Sequence, residues 1–149
     1  LVKQTQIRHT ILFVDDNPAD VELAREAAEA CRSEFDLQVI VSADAALTRL
    51  VGSKERAPLL VVLNLKLPKL DGLAVIRSLR LNRATHDIPV LVYSNEFTRA
   101  DVLMSYQAGA KSFVAKPLDA QQFTDFFSRQ LAYWLTAKHF HSRSENALT

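Results

Sequence analysis

The sequence predicts an α/β fold built on a doubly wound parallel sheet, and two observations carry that prediction. Five short runs, residues 10–14, 37–41, 59–63, 89–93 and 112–115, are mostly rich in Val, Ile and Leu and lack polar alternation. Parallel strands covered on both faces read this way. Between the runs lie segments of helical period, and strands alternating with helices imply right-handed βαβ units.

Four of the five helices have a start signal of their own. Asn17 followed by Pro18 at the first helical position opens a stretch with Val21, Leu23, Ala24 and Ala27. Ser42-Ala-Asp44 leads into residues 45–50, and Asp71-Gly72 into residues 73–81. Residues 98–106 run to Gly109, a C-cap, and Asp119 caps the helix that begins at Ala120 and closes with "LAYWL". Residues 1–8 and 138–149 read as frayed or accessory ends.

The 149 residues suffice for one domain with a sizeable core and are too few for two ordinary ones. Hydrophobic residues make up 48% and charged residues 23%, a globular rather than a disordered balance. Eighteen basic and 17 acidic residues leave a net charge of +1, which points to neither a nucleic-acid nor a lipid partner. Cys31 is the single cysteine, so no internal disulfide can form, and it reads as a buried, inert thiol. No apolar stretch approaches the roughly 20 residues of a membrane span, and a cytoplasmic location is expected.

In such sheets, polar groups at the carboxyl ends of the strands meet in a crevice. Those residues are Asp15 and Asp16 after the first run, Asn64 after the third, Ser94 and Asn95 after the fourth, and Lys116 with Pro117 after the fifth. Two carboxylates suit Mg²⁺, which takes oxygen ligands and keeps several waters. A lysine and a hydroxyl suit the oxygens of a phosphoryl group. The three glycines form no phosphate-cradling loop.

The stretches "ILFVDDNPAD", "LNLKLPKLDG", "PVLVYSN" and "GAKSFVAKP" stand in the order and spacing of one family. Through them the chain, over residues 9–135, resembles the receiver domain of two-component response regulators. The resemblance implies a flavodoxin-like sheet of order 2-1-3-4-5 flanked by five helices, a single receiver domain across residues 1–149, and a histidine kinase as partner. By position, Asp15 and Asp16 match the acidic pair that holds Mg²⁺, and Lys66 the residue whose carbonyl completes the metal site. Lys116 matches the lysine that pairs with the phosphoryl group, followed by Pro117 through a cis bond. Ser94 matches the hydroxyl that moves to the phosphoryl oxygen, and Phe113 the aromatic switch. Asn64 stands where the family carries the phosphorylated aspartate. Within the family the chain is similar to the small regulators paired with bacterial phytochrome kinases.

An amide at position 64 changes the expected chemistry. Its oxygen is a far poorer nucleophile than a carboxylate, so phosphotransfer to that position is expected to be absent. The site also loses a negative charge, so Mg²⁺ is expected to bind more weakly. Two like charges 4 Å apart cost about 4 kcal/mol at an effective dielectric of 20, and the amide relieves that repulsion. A natural receiver that signals without phosphorylation and a deliberate isosteric replacement both fit the pattern.

Plainer readings compete at several positions. Asp15 and Asp16 could cap the first helix beside Asn17 and Asp20, and Asp71 reads as a helix start rather than a substitute acceptor. His139 and His141 lack further ligand spacing and read as a solvated tail, and His86 as exposed. In the last helix Phe123, Phe126, Phe127, Leu131, Trp134 and Leu135 exceed one core stripe, with Tyr133 off it. Extra core is one reading. A homodimer face using Phe126, Tyr133 and Trp134 is the favoured one. The alternative function, a metal-dependent phosphatase of the haloacid type, needs a DxD spacing that Asp15-Asp16 lacks. An electron-transfer flavoprotein would need a phosphate-cradling loop after the first strand.

Overall fold

The computed structural model describes residues 8–31 and 34–147, and of residues 138–147 the backbone alone. Five strands, β1 (His9–Val14), β2 (Phe35–Ile40), β3 (Leu60–Asn64), β4 (Val90–Ser94) and β5 (Ser112–Ala115), alternate with five helices. The helices are α1 (Pro18–Ala30), α2 (Ala43–Leu47, running on into a π-helical turn, Thr48–Gly52), α3 (Gly72–Leu81), α4 (Arg99–Ala108) and α5 (Ala120–Ala147). The sheet is parallel in the order β2-β1-β3-β4-β5, as expected.

Alternation along the strands divides the core into two layers. Leu12, Val14, Val61, Leu63, Val90 and Val92 face Ala43, Ala46, Leu73, Ile76 and Leu79 on the α2–α3 side. Ile11, Phe13, Leu60, Val62, Leu91 and Tyr93 face Ala24, Ala27, Phe123, Phe127 and Leu131 on the α1–α5 side. Phe13 anchors the second layer, with ring centroids 5.4 Å from Tyr93 and 6.2 Å from both Phe123 and Phe127. Arg80 fastens α3 to its neighbours by donating to the carbonyls of His86, Ile88 and Gly109.

The start signals act as read. Asn17 Oδ1 accepts from the N–H groups of Ala19 and Asp20, Ser42 Oγ from Ala45, and Asp71 Oδ1 from Ala74. Thr98 and Asp101 form a reciprocal capping box, and Gly109 closes α4 at a φ of 115°, a left-handed conformation that glycine adopts without a Cβ clash.

Several boundaries shift by one to three residues from expectation, and two departures have a clear physical reason. β2 starts two residues early, at Phe35, and leaves Val41 outside and exposed. Asp36 interrupts the apolar run, but β2 is an edge strand, and Asp36 turns outward to pair with Arg8 at 2.8 Å. The last helix continues to Ala147, where a frayed end was expected from residue 138. No Gly or Pro follows Leu118, and Ala, Lys, Arg and Glu favour propagation. Residues 1–7 and the side chains of His139 and His141 lie outside the described residues. Cys31 is buried and His86 exposed, as expected.

Candidate functional site

The carboxyl ends of β1, β3, β4 and β5 bring Asp15, Asn64, Ser94 and Lys116 to one crevice. Although β1 ends at Val14, the Asp15 N–H still donates to the Ile40 carbonyl at 3.1 Å, which continues the ladder. Asp15 is fully buried, and both of its oxygens are engaged. Oδ1 accepts from the Asn17 N–H at 3.0 Å and from Asn64 Nδ2 at 3.1 Å. Oδ2 accepts from the Tyr93 hydroxyl and from Lys116 Nζ, the latter at 3.2 Å. A carboxylate has about four lone-pair sites, so these donors saturate it and offset the cost of burial.

Asn64, the last residue of β3, pairs in register with Tyr93. Its amide nitrogen has two protons, and both are used: one goes to Asp15 Oδ1, the other to the Lys66 carbonyl at 3.1 Å. The Lys66 side chain is exposed, so only its carbonyl faces the site. Asp16 is exposed at the rim.

On the far side, Ser94 is buried, and its hydroxyl donates to the Glu96 carbonyl at 2.9 Å. Phe113 is half-buried and meets Phe97 edge-on at 4.9 Å. Lys116 is buried, and its ammonium donates to Asp20 Oδ2 at 2.8 Å as well as to Asp15. It also lies 4.9 Å from the centre of the Tyr93 ring. The Lys116–Pro117 bond is trans, which corrects the cis bond implied by the resemblance. The two isomers of an X–Pro bond differ by only about 0.5–1 kcal/mol, so local packing decides between them.

Two members of this cluster were not anticipated. Tyr93 read simply as the end of an apolar strand. Burial, then the neighbouring Asp15 carboxylate, hold its phenol well above the ordinary range. The available signal was chemical, because a buried tyrosine hydroxyl needs a partner and the Asp15 carboxylate ends the adjacent face. Asp20 read as part of a helix cap. It precedes Ala24 by four residues and Ala27 by seven, so it stands on the buried stripe of α1, and that spacing was the signal. Asp71 caps α3 and stays exposed, so it is a helix start, not a member of the site.

The donors suit a hard divalent cation in kind, since Asp15, Asp16 and the Lys66 carbonyl all present oxygen. Their occupancy opposes it, because the Asn64 amide already holds two of those oxygens. Among the described residues no cluster of three or more His, Cys, Asp or Glu side chains is placed to hold a metal.

On α5, Phe126 and Trp134 pack as half-buried residues at the edge of the α1–α5 layer, and Trp134 Nε1 donates to Gln130 at 3.1 Å. Tyr133 is 61% exposed and stands edge-on to Trp134 at 4.8 Å. Of the three predicted interface aromatics, one is therefore free and two share their surface with the core. Among the described residues, no helix is long and apolar enough to cross a membrane.

Residues 11–127 match the family described as the response regulator receiver domain. The response regulator Rcp1 of Synechocystis sp. is 28% identical over 129 residues, covering 84% of this chain and 88% of Rcp1. The Mn²⁺-bound form of Rcp1 superposes with a TM-score of 0.73, at 26% identity over 85% of this chain and 94% of that one. The phosphorylated cyanobacterial phytochrome response regulator RcpA superposes with a TM-score of 0.77, at 25% identity over 88% and 96%. The DNA-binding transcriptional regulator RpaA of Synechocystis sp. is 32% identical over 112 residues, covering 75% of this chain but only 44% of RpaA. The chain thus spans less than half the length of that relative. With its sheet order, its crevice residues and this match over most of its length, the chain belongs to the receiver domains of response regulators.

Proposed function

We propose that this receiver takes part in two-component signalling by binding rather than by accepting a phosphoryl group at position 64. The observation that carries the reading is the Asn64 amide, which donates to Asp15 Oδ1 and the Lys66 carbonyl. An amide nitrogen turned into the crevice presents protons, not a lone pair, where an incoming phosphorus would require a nucleophile. Magnesium, when bound, would neutralise charge beside position 64, held by Asp15, Asp16 and the Lys66 carbonyl. To bind there it must displace the amide from two of those oxygens, which supports weakened affinity.

The partner that fits is a histidine kinase, of phytochrome type by analogy with RcpA, or a second receiver, with both in the cytoplasm. Tyr133 on α5 supports assembly as a homodimer, because an exposed aromatic beside Trp134 offers an interface anchor. The haloacid-type phosphatase reading is disfavoured, because both oxygens of Asp15 are held by four donors and none is free to attack. Neither a nucleic-acid nor a membrane partner is proposed. Incubation with acetyl phosphate and Mg²⁺, followed by intact mass, tests the reading. The chain is expected to stay unmodified, and a single added phosphoryl group would overturn it.

A further inference from the structure

Asp20 is a buried carboxylate for which helix capping has no use, since Asn17 alone caps α1. Its side chain turns inward, and Oδ2 takes the shorter of the two hydrogen bonds made by Lys116, 2.8 Å against 3.2 Å to Asp15. Among the described residues, neither of those bonds goes to Asn64. The Lys116 side chain is 5% exposed and that of Asp20 13%, so little water competes for the pair. The first turn of α1 also favours a negative charge at Asp20.

We propose that Asp20 is a positioning residue that tethers Lys116 on the α1 side of the crevice and withholds its ammonium from a phosphoryl group at position 64. A phosphoryl group there would draw on Lys116 for charge, and Asp20 and Asp15 already compete for that ammonium through two of its three protons. Loss of the acceptor carboxylate and diversion of the lysine are then two separate brakes on the same chemistry. This inference rests on the reading of position 64 as the acceptor position, and its test separates the two.

The test begins from Asn64→Asp, which restores a carboxylate. In that background a carboxylate oxygen at position 64 forms a bond to the phosphorus of acetyl phosphate. The bond from phosphorus to the acetate oxygen breaks, and its electron pair leaves with acetate. Lys116 keeps its protons throughout and neutralises phosphoryl oxygens. The initial rate of phosphoryl addition, read by intact mass with Mg²⁺ present, is compared among Asn64→Asp, Asn64→Asp with Asp20→Asn, and Asn64→Asp with Asp20→Glu. Asp20→Asn is expected to raise the rate about tenfold or more, the scale on which one hydrogen bond to a charged group acts. Asp20→Glu keeps the tether and is expected to leave the rate near that of Asn64→Asp. A merely structural Asp20 predicts a fall, not a gain. Equal rates with and without Asp20→Asn overturn the inference and leave the reading of position 64 standing. Absence of modification in all three chains overturns that reading and the inference together. Asp20→Ser serves as a second replacement should Asp20→Asn lose its far-UV circular dichroism. If neither folds, the pair is a fold element and the inference falls.

Discussion

The amide nitrogen of Asn64 stands 3.1 Å from Asp15 Oδ1 and donates to it, tying the end of β3 to the end of β1 in the crevice. A carboxylate could not make this bond, because two ionised acids would meet acceptor to acceptor. The amide therefore does more than delete a charge. It satisfies Asp15 and the Lys66 carbonyl from one group and closes the resting site on itself. Asp15 becomes the hub, and each group that reaches it can be tested separately.

Tyr93 supplies one of those bonds. Burial and the nearby Asp15 charge raise its folded-state pKa above the ordinary value of 10.0. Its contribution is fully present below about pH 10 and is lost as pH rises above that value, because the unfolded chain ionises first. The slope approaches about 1.4 kcal/mol per pH unit for one such group. Tyr93→Phe is expected to flatten this alkaline fall. At neutral pH it is expected to cost about 1.5–3 kcal/mol, the range for a hydrogen bond to a charged acceptor. Denaturant melts of both chains between pH 8 and about 11.5 check both parts, and parallel alkaline slopes would assign the fall to other groups.

Gly72 governs how closely the loop after β3 folds back on the site. A Cβ there would lie 2.9 Å from the Asn64 carbonyl oxygen and 3.0 Å from that of Leu65, both backbone atoms. The Gly72 N–H also donates to the Leu65 carbonyl at 2.9 Å, so the loop cannot simply swing away. Gly72→Ala is expected to destabilise by about 1–3 kcal/mol through forced backbone shifts. Equilibrium unfolding measures the loss, and an unchanged midpoint would mean that the loop gives way freely.

The sheet and its crevice were legible because buried parallel strands and helix caps leave strong local marks. Asn17, Ser42, Asp71 and Asp119 each announce a helix by a side chain that can accept from the backbone. Phe35 was missed because edge strands tolerate charge, so Asp36 broke the pattern without breaking the strand. Tyr93 and Asp20 were missed for a different reason. Their roles lie in long-range partners, across 78 residues to Asp15 and 96 to Lys116, which no local periodicity records. The inward placement of Asp15, Asn64 and Lys116 was legible, but the diversion of Lys116 toward α1 was not.

Tyr133 tests the proposed dimer more cleanly than Trp134, because Trp134 also packs on its own core. Tyr133→Ala is expected to change monomer stability by no more than about 0.5 kcal/mol, as for an exposed site. If the ring anchors an interface, the same change is expected to weaken dimerisation by about 2 kcal/mol, roughly thirtyfold in the dissociation constant. Light scattering over a concentration series reads the assembly, with circular dichroism to confirm the fold. A monomeric unmutated chain at high micromolar concentration would end the dimer proposal.

Asn64→Asp returns to the bond between β3 and β1 and reverses its sign. The exchange replaces a donor by an acceptor against Asp15 Oδ1 and the Lys66 carbonyl, each at 3.1 Å. Like charges at that range cost about 5 kcal/mol at an effective dielectric of 20, and the nearby Lys116 ammonium offsets part of it. The metal-free variant is therefore expected to be less stable by about 2–4 kcal/mol. Magnesium is expected to restore much of that loss, because three carboxylates and a carbonyl then face the cation with no amide protons among them. The unmutated chain is expected to gain far less from the ion. Urea unfolding of both chains, with chelator and with Mg²⁺, gives the four midpoints needed. A variant as stable as its parent in chelator would show that Asp15 and position 64 do not repel. The amide would then be a bystander to the resting site rather than its clasp.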